Sequence, residues 1–241
     1  MAGMSFMDRW IKKRMKQRYP FQARHIELSL VDSQDDAPIK LDRGLLDLSL
    51  RAVRAAAETH LKFNDARNLK NPYVNCWPGE NYRLLAGFVK VLQPKRIIEV
   101  GTEKGLGTLA MQEVLPSGGK ILTFDIFPWS PESSVITQAD LDGGAVAALD
   151  DNLSKPEVAA RYAKELKETD FFFIDAAKDG VQERVFLENF RTIGLKKGAI
   201  LFFDDIRLWN MLAIWREIQM PKLDLTGLGH WSGSGIVAWE P

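Results

Sequence analysis

The chain has 241 residues, of which 46% are hydrophobic and 27% are charged, so it can bury one substantial core. Its 32 basic and 32 acidic residues balance, and the net charge therefore does not favour nucleic acid or an anionic membrane as a partner. A single cysteine, Cys76, excludes an internal disulfide, and neither a secretory segment nor a membrane-spanning apolar run is present. These features predict a cytoplasmic protein without stable membrane insertion.

The N-terminal region has its own charge pattern. Residues 1–25 carry seven basic side chains and one acid, with Phe6 and Trp10 near helical spacing, which predicts an amphipathic helix. It could pack on its own domain or on a second subunit, so a homodimer is possible. A longer helical pattern follows from 41 to 61. We predict an N-terminal helical extension over 1–70, acting as a lid or a dimer arm, and one domain over 71–241.

After a predicted helix at 81–92 the hydrophobic period changes. Short apolar runs at 96–100, 120–125, 169–175 and 198–205 alternate with helical patterns at 105–115, 155–167, 181–192 and 206–219. A weaker strand is predicted at 145–149, and residues 223–240 are expected to form a hairpin around a glycine-rich loop. This alternation predicts an α/β fold, a Rossmann-like doubly wound sheet that is mostly parallel with an antiparallel C-terminal hairpin, plus N-terminal helices.

Acidic side chains stand where nearly every predicted strand ends. In open sheets of this class, ligands bind beyond the carboxyl ends of the strands. The acids at these ends are Glu99, Asp125, Asp150, Asp151, Asp175, Asp204 and Asp205. A rim of this kind favours positively charged ligands.

The stretch EVGTEKGLGT places Gly101, Gly105 and Gly107 between the first strand and a helix, where the backbone can approach a ligand closely. The spacing is not the G-x-G-x-x-G of dinucleotide binders, and Glu103 stands where a pyrophosphate would press on the turn. S-adenosylmethionine, with a cationic amine and a sulfonium, suits these acids better.

Asp125 lies about one βα unit after the glycines, where a carboxylate can accept hydrogen bonds from both hydroxyls of a ribose. We therefore expect cofactor contacts along the whole rim. The predicted cofactor-binding residues are Glu99, Gly101, Thr102, Glu103, Gly105, Gly107, Thr108, Asp125, Asp150, Asp151 and Asp175.

Taken together, EVGTEKGLGT, Asp125 and IDAAKDG resemble the class I S-adenosylmethionine-dependent methyltransferases, and most closely the metal-dependent catechol and caffeoyl-CoA O-methyltransferase group. The resemblance covers roughly residues 75–239 and implies O-methylation of a small-molecule hydroxyl. It also implies that Asp175 binds Mg²⁺ or another divalent cation and that Lys178 is the general base. In the family the other metal ligands are an Asp-Asn pair ending the fifth strand; here the pair is Asp204-Asp205.

Two interpretations of these acids remain open. Carboxylates at 175, 204 and 205 on adjacent strands can converge on an octahedral oxygen site for a divalent cation. Alternatively, Asp179 caps the helix at 181–192, and Asp204 or Asp205 caps the next helix. We expect capping to explain Asp179 but not Asp175 or Lys178.

Other residues could complete the substrate side. Trp77 and Trp209 are possible walls of a substrate site. The histidines His25, His60 and His230 lack zinc-ligand spacing, and His230 is expected to be a hairpin-loop residue, with a substrate contact as the alternative.

Other functions compete with this one. A metal-independent methyltransferase with the same cofactor site is the first alternative, and an NAD-dependent oxidoreductase is disfavoured by the glycine spacing. A third alternative is a non-catalytic protein whose basic N-terminal arm binds RNA or an anionic surface. Because the Asn/Asp-Pro-Pro-aromatic motif of base methyltransferases is absent, nucleic acid is not the expected acceptor, and the lack of a G-x-S-x-G motif disfavours a hydrolase.

Overall fold

The computed structural model describes residues 42–240, so the predicted basic helix lies outside the described residues. Labels count along the described part. The helices are α1 (Arg43–Ala57), α2 (Phe63–Ala66), α3 (Tyr82–Leu92), α4 (Leu106–Gln112), α5 (Gln138–Asp142), α6 (Pro156–Arg161), α7 (Ala163–Glu168), α8 (Gln182–Ile193) and α9 (Met211–Glu217), with a 3₁₀ turn at Thr226–Leu228. The strands are β1 (Arg96–Val100), β2 (Lys120–Phe124), β3 (Val146–Leu149), β4 (Phe171–Ile174), β5 (Ile200–Asp204), β6 (Lys222–Asp224) and β7 (Ser234–Ala238).

The seven strands form one sheet in the order β3-β2-β1-β4-β5-β7-β6. The first five are parallel, and β7 runs antiparallel to both β5 and β6. This confirms the predicted α/β class, the mostly parallel sheet and the antiparallel C-terminal pair. Because Val100, Phe124 and Ile174 lie in register, the chain leaves β1, β2 and β4 at one level of the same edge.

Strand β4 shows why the predicted strands are continuous apolar runs. Phe171 and Phe173 face a core formed with α1 and α3, whereas Phe172 and Ile174 face a second core formed with α8. All four side chains are buried, as expected for a parallel strand covered on both faces.

Helix α1 shares the first of these cores. Its Leu45, Leu48 and Ala52 are buried there. A side chain at Gly87 of α3 would lie 2.3 Å from the Ala52 carbonyl oxygen, so only glycine permits this close packing of the two helices. Residues 43–57 are thus part of the same packed body as the sheet, and the division of the chain at residue 70 stays a prediction.

Two predicted helices differ from the structure. The helix expected over 206–219 begins at Met211, because Asp205 and Trp209 adopt left-handed backbone angles (φ 57° and 47°) that a helix does not accommodate. The helix expected over 155–167 is divided at Tyr162 into α6 and α7. None of the described helices is both long and apolar enough to cross a membrane.

The ion pair between Arg67 and Asp140 joins two loops beside the edge of the sheet. The Arg67 guanidinium donates to both carboxylate oxygens of Asp140, at 2.7 and 2.6 Å, and to the carbonyl oxygen of Val135 at 3.0 Å. Hydrogen bonds from Arg67, opposed in part by burial, hold the pKa of Asp140 well below its usual range. This pair joins the segment after α2 to the start of α5.

We expect Arg67→Met to lower the free energy of unfolding at pH 7 by about 1 to 3 kcal/mol, because a charged hydrogen bond at a half-buried site is lost. The pKa of Asp140 is depressed in the folded state, so this stabilisation is fully present above the ordinary carboxylate pKa of about 3.9 and is lost progressively as the pH falls from there to the depressed pKa, which makes it partly lost at pH 3. Urea denaturation at pH 7 and pH 3 measures both effects. The exposed pair Arg54–Glu58 provides the control, since Arg54→Met should change little; an equal loss in both variants would contradict the assignment.

Candidate active site

The glycine-rich loop after β1 packs closely against the backbone at the end of β4. Gly101 has φ +98°, and a side chain there would lie 1.9 Å from the carbonyl oxygen of Asp175. Gly105, with φ +88°, turns the chain into α4. A Cβ at Gly107 would lie 2.4 Å from the Glu99 carboxylate. Each glycine therefore meets a local steric requirement, and together they bring the loop backbone to the ligand edge.

A cavity of about 280 Å³ opens beyond the ends of β1, β2 and β4. Four acids line it: Glu103, Asp125, Asp151 and Asp175. A second cavity, of about 290 Å³, lies beside the first, and Glu103, Asp125 and Phe127 line both. Thr102, Lys104 and Trp129 line only the second cavity. The predicted cofactor residues Gly101, Thr102, Glu103, Asp125, Asp151 and Asp175 are thus brought together around these cavities.

Among the described residues, the other predicted cofactor contacts line neither of these two cavities: Glu99, Gly105, Gly107, Thr108 and Asp150. Asp150 is exposed, and Glu99 is buried behind the glycine loop. The Thr108 hydroxyl donates a hydrogen bond to the Glu99 carboxylate, so both residues hold the loop from within. Their contact with a cofactor stays a prediction.

Asp125 is held in place by backbone groups. Its two carboxylate oxygens accept hydrogen bonds from the amide of Glu103 at 2.9 Å and from the amide of Phe127 at 3.0 Å. A carboxylate has about four acceptor positions, so two amides leave acceptor capacity for a ligand. Because Asp125 is only half-buried and lines both cavities, that capacity is accessible.

Lys178 joins two strand-end acids. Its Nζ lies 2.6 Å from the Asp175 carboxylate and 2.8 Å from that of Asp205. Burial alone would lower the pKa of Lys178, but the charges and hydrogen bonds of Asp175 and Asp205 outweigh burial and raise it. In the protein alone, the two carboxylates therefore stabilise the ammonium form of Lys178.

A second group of charges lies beside the first. The His230 Nδ1 is 3.1 Å from the Asp204 carboxylate and 3.3 Å from that of Asp205, and its Nε2 is 3.5 Å from Glu80. The hydroxyl of Ser232 donates to Asp205. Four charged groups and one hydroxyl thus meet at the end of β5.

Burial and mutual interaction shift the pKa values of this group apart. Burial and the charge of Asp204 raise the pKa of Asp175 to about 7. Burial opposes ionisation of Asp205, but hydrogen bonds from His230 and Lys178 outweigh it and lower its pKa to about 2. Burial would lower the pKa of His230, yet Asp204 and Asp205 raise it to about 10. The site therefore holds two cations, Lys178 and His230, among several acids.

Three of these side chains are possible donors to a divalent cation, provided that His230 is in its neutral form, because a protonated imidazole has no free lone pair. Asp204, Asp205 and His230 each offer a ligand atom, and these atoms lie within 4.8 Å of one another. Within residues 42–240 this group does not include Asp175, whose carboxylate contacts Lys178 instead. The predicted set of 175, 204 and 205 is brought to one edge, with Lys178 between two of its members.

The capping alternative is settled residue by residue. Asp179 accepts hydrogen bonds from the amides of Val181 and Gln182 at 2.8 and 3.0 Å, as expected for a cap of α8. Asp204 and Asp205 instead face His230, and α9 begins only at Met211. Capping thus explains Asp179, whereas Asp204 and Asp205 belong to the charged group.

Sequence reasoning missed Glu80 and Ser232. His230 lies in the loop between β6 and β7, as expected, but its contacts with Asp204 and Asp205 were not predicted. A backbone link brings these loops together: the Gly79 amide donates to Gly229 at 2.8 Å, and the Trp231 amide donates to Gly79 at 3.1 Å. In the sequence, only the glycine-rich stretch GLGHWSGSG indicated that this loop could pack closely against other backbone. Gly233, with φ +118°, lets this loop dock on the backbone of Arg207.

The two predicted substrate walls differ in position. Trp77 is half-buried, and its indole N–H donates a hydrogen bond to the carbonyl oxygen of Leu228 at 2.8 Å. Leu228 belongs to the same loop as His230. Trp209 stands on the left-handed turn before α9. Among the described residues, neither tryptophan lines the two cavities, so a role as substrate walls stays a prediction.

Comparison with known proteins agrees with this fold. The sequence model of the O-methyltransferase family matches residues 64–225, so the chain belongs to the O-methyltransferase family. Caffeoyl-CoA O-methyltransferase 2 of Petunia hybrida is 31% identical over 137 residues, which cover 53% of this chain and 52% of that protein. The chain thus spans about half the length of the curated relative it matches.

Among solved structures, the SAH-bound methyltransferase PaMTH1 of Podospora anserina has a similar fold. The TM-score is 0.51 at 17% sequence identity, covering 85% of this chain and 99% of that chain. The family match confirms the resemblance to the class I S-adenosylmethionine-dependent methyltransferases, and the structural likeness confirms the fold.

The buried Glu99 predicts a pH effect on stability. Burial, offset only in part by hydrogen bonds from Thr108 and Thr123, raises the pKa of Glu99 to about 8. A raised carboxyl pKa gives stability that is present below the ordinary glutamate pKa and is lost as the pH rises through about 8. Between pH 5 and pH 8 the free energy of unfolding should fall in the wild type. In Glu99→Gln it should fall less, and we expect the two decreases to differ by more than about 1 kcal/mol.

Chemical denaturation at both pH values measures this difference. The exposed Glu132→Gln serves as the control and should follow the wild type. Parallel losses in wild type and Glu99→Gln would show that Glu99 ionises freely in the folded protein.

Proposed function

We propose that the protein transfers the methyl group of S-adenosylmethionine to a hydroxyl oxygen of a small molecule, with Lys178 as general base and a divalent cation in the site. One observation carries the proposal: a cavity lined by acids ends at Asp175, whose carboxylate also contacts Lys178 at 2.6 Å. This arrangement supports a cationic cofactor and a base at one edge of the sheet.

The cavity supports a sulfonium cofactor through charge. Glu103, Asp125, Asp151 and Asp175 favour the amine and the sulfonium of S-adenosylmethionine over the pyrophosphate of a dinucleotide. Asp125 would accept the ribose hydroxyls, because its carboxylate is oriented by two amides and retains acceptor capacity. The same charges disfavour NAD.

Asp204, Asp205 and His230 would hold the cation, with Asp175 nearby. Oxygen-rich donor sets of this kind suit Mg²⁺ or Mn²⁺. A bound divalent cation would lower the pKa of the acceptor hydroxyl.

Methyl transfer to a hydroxyl releases one proton, and in this proposal Lys178 takes it. In the protein alone its ammonium form is stabilised by Asp175 and Asp205. A positive charge bound beside these carboxylates would weaken their hold on that proton, so that Lys178 would release it to solvent and, as a neutral amine, accept the proton of the acceptor hydroxyl. The acceptor oxygen then forms a bond to the methyl carbon as the carbon–sulfur bond breaks, leaving S-adenosylhomocysteine.

The acceptor is proposed to carry a hydroxyl within reach of Lys178. The Petunia relative is named for caffeoyl-CoA, which carries a diol on an aromatic ring, and this makes caffeoyl-CoA a suitable first probe.

Cofactor binding is expected to depend on Asp125. We expect Asp125→Asn to weaken binding of S-adenosylhomocysteine about tenfold, because charge-assisted hydrogen bonds are lost. Isothermal titration calorimetry measures this, with exposed Asp142→Asn as the matched control. Equal affinity in all three proteins would place the ribose elsewhere, and tight binding of NAD by the wild type would favour the oxidoreductase.

Turnover is expected to depend on a divalent cation. We expect EDTA to abolish methyl transfer to caffeoyl-CoA and added Mg²⁺ or Mn²⁺ to restore it, because the acceptor hydroxyl is a weak acid without the cation. Radiolabelled methyl transfer measures the rate. Full turnover in EDTA would support the metal-independent methyltransferase, in which Lys178 and His230 supply the positive charge.

A further inference from the structure

The backbone that carries Lys178 adopts a rarely populated conformation. Lys178 has φ 58° and Gly180 has φ 75°, both in the left-handed region. Glycine accepts this readily, but lysine does not, so the surrounding structure must maintain it. The turn sends the Lys178 side chain back to the strand edge, to Asp175 and Asp205.

Glu183 binds this turn directly. It is 1% exposed, and its two carboxylate oxygens accept hydrogen bonds from the amide of Lys178 at 2.7 Å and from the amide of Gly180 at 2.9 Å. One buried carboxylate thus holds the two amides that converge because of the left-handed turn.

The carbonyl side of the turn is also held. The Asn210 amide donates to the carbonyl oxygen of Asp179 at 2.7 Å, and Arg184 donates to that of Gly180 at 2.7 Å. Arg184 in turn donates to both carboxylate oxygens of Glu217, at 2.9 and 2.6 Å. Helices α8 and α9 therefore fix the turn from two directions.

Helix capping accounts for only one of the two bonds of Glu183. The bond from the Gly180 amide, three residues earlier, has the reach-back spacing of a capping box, but the bond from the Lys178 amide, five residues earlier, does not. Burying a carboxylate is costly unless hydrogen bonds compensate it, and both bonds of Glu183 described above go to the turn that carries Lys178.

We propose that Glu183 is a positioning residue for methyl transfer: its carboxylate holds the turn at 178–180 so that the Lys178 amine points between Asp175 and Asp205. This inference rests on the proposed role of Lys178 as the base. Glu183 acts through the backbone of Lys178 and does not contact the reacting atoms.

The test is a double-mutant cycle of Glu183→Gln and Lys178→Met, with caffeoyl-CoA and 1,2-dihydroxybenzene as acceptor probes. Gln keeps the size of the side chain but places an amide donor against one of the two backbone donors. We expect kcat to fall about 10- to 100-fold in Glu183→Gln while the Kd for S-adenosylhomocysteine stays unchanged. In the Lys178→Met background, Glu183→Gln should cause no further loss.

Glu188→Gln, an exposed substitution on the same helix, is the matched control and should retain wild-type kcat. An additive loss in the double variant overturns the inference, as does full activity of Glu183→Gln when Lys178→Met is inactive. Full activity of Lys178→Met would instead refute the base in the proposed function. If Glu183→Gln does not fold, Glu183→Asp replaces it, because the shorter side chain cannot span both amides.

A second readout needs no methyl acceptor. Labelling of Lys178 by an amine-reactive ester, followed by mass spectrometry, reports whether the side chain is held in place. We expect labelling to be severalfold faster in Glu183→Gln than in the wild type or Glu188→Gln. Equal rates in the three proteins overturn the inference, whether or not either probe is methylated.

Discussion

The attraction between the Lys178 ammonium and the carboxylates of Asp175 and Asp205 holds the charged edge of this protein together. Several acids lie in a partly buried space, where like charges repel strongly and water cannot screen them fully. Lys178 offsets this repulsion at one end of the group, and His230 offsets it at the other. The same excess of acid makes the adjoining cavity suited to a cationic cofactor.

The sheet makes this concentration of charge possible. Parallel strands end at one edge, so residues distant in sequence meet after β4 and β5. Aromatic side chains of both strands are buried in the cores on the two faces of the sheet, and this packing holds the strand ends in position. An apolar core on two sides therefore supports a polar edge that would be unstable on a flexible loop, and a preformed arrangement of this kind favours catalysis by positioning.

Much of the architecture could be predicted from local sequence, because runs such as FFFI are unambiguous as buried strands. The start of α9 at Met211, instead of the predicted 206, could not be predicted, because Asp205 and Trp209 are not glycines and nothing in the local sequence indicates their left-handed backbone angles. The proximity of Asp175 and Lys178 could be predicted because they are close in sequence and follow a strand. The pairing of His230 with Asp204 could not be predicted, because the two residues are 26 apart in sequence and meet only through the docking of the last loop.

The strand order has a consequence for assembly. Strand β7 lies between β5 and β6, so β6 has no neighbour in the sheet until residues 234–238 insert. The loop that supplies His230 and Ser232 is anchored by that insertion, through the bond from Leu225 to Ser234 and the contact of Gly233 with Arg207. During synthesis on the ribosome, the charged group at the end of β5 can therefore form only after almost the entire described chain has emerged.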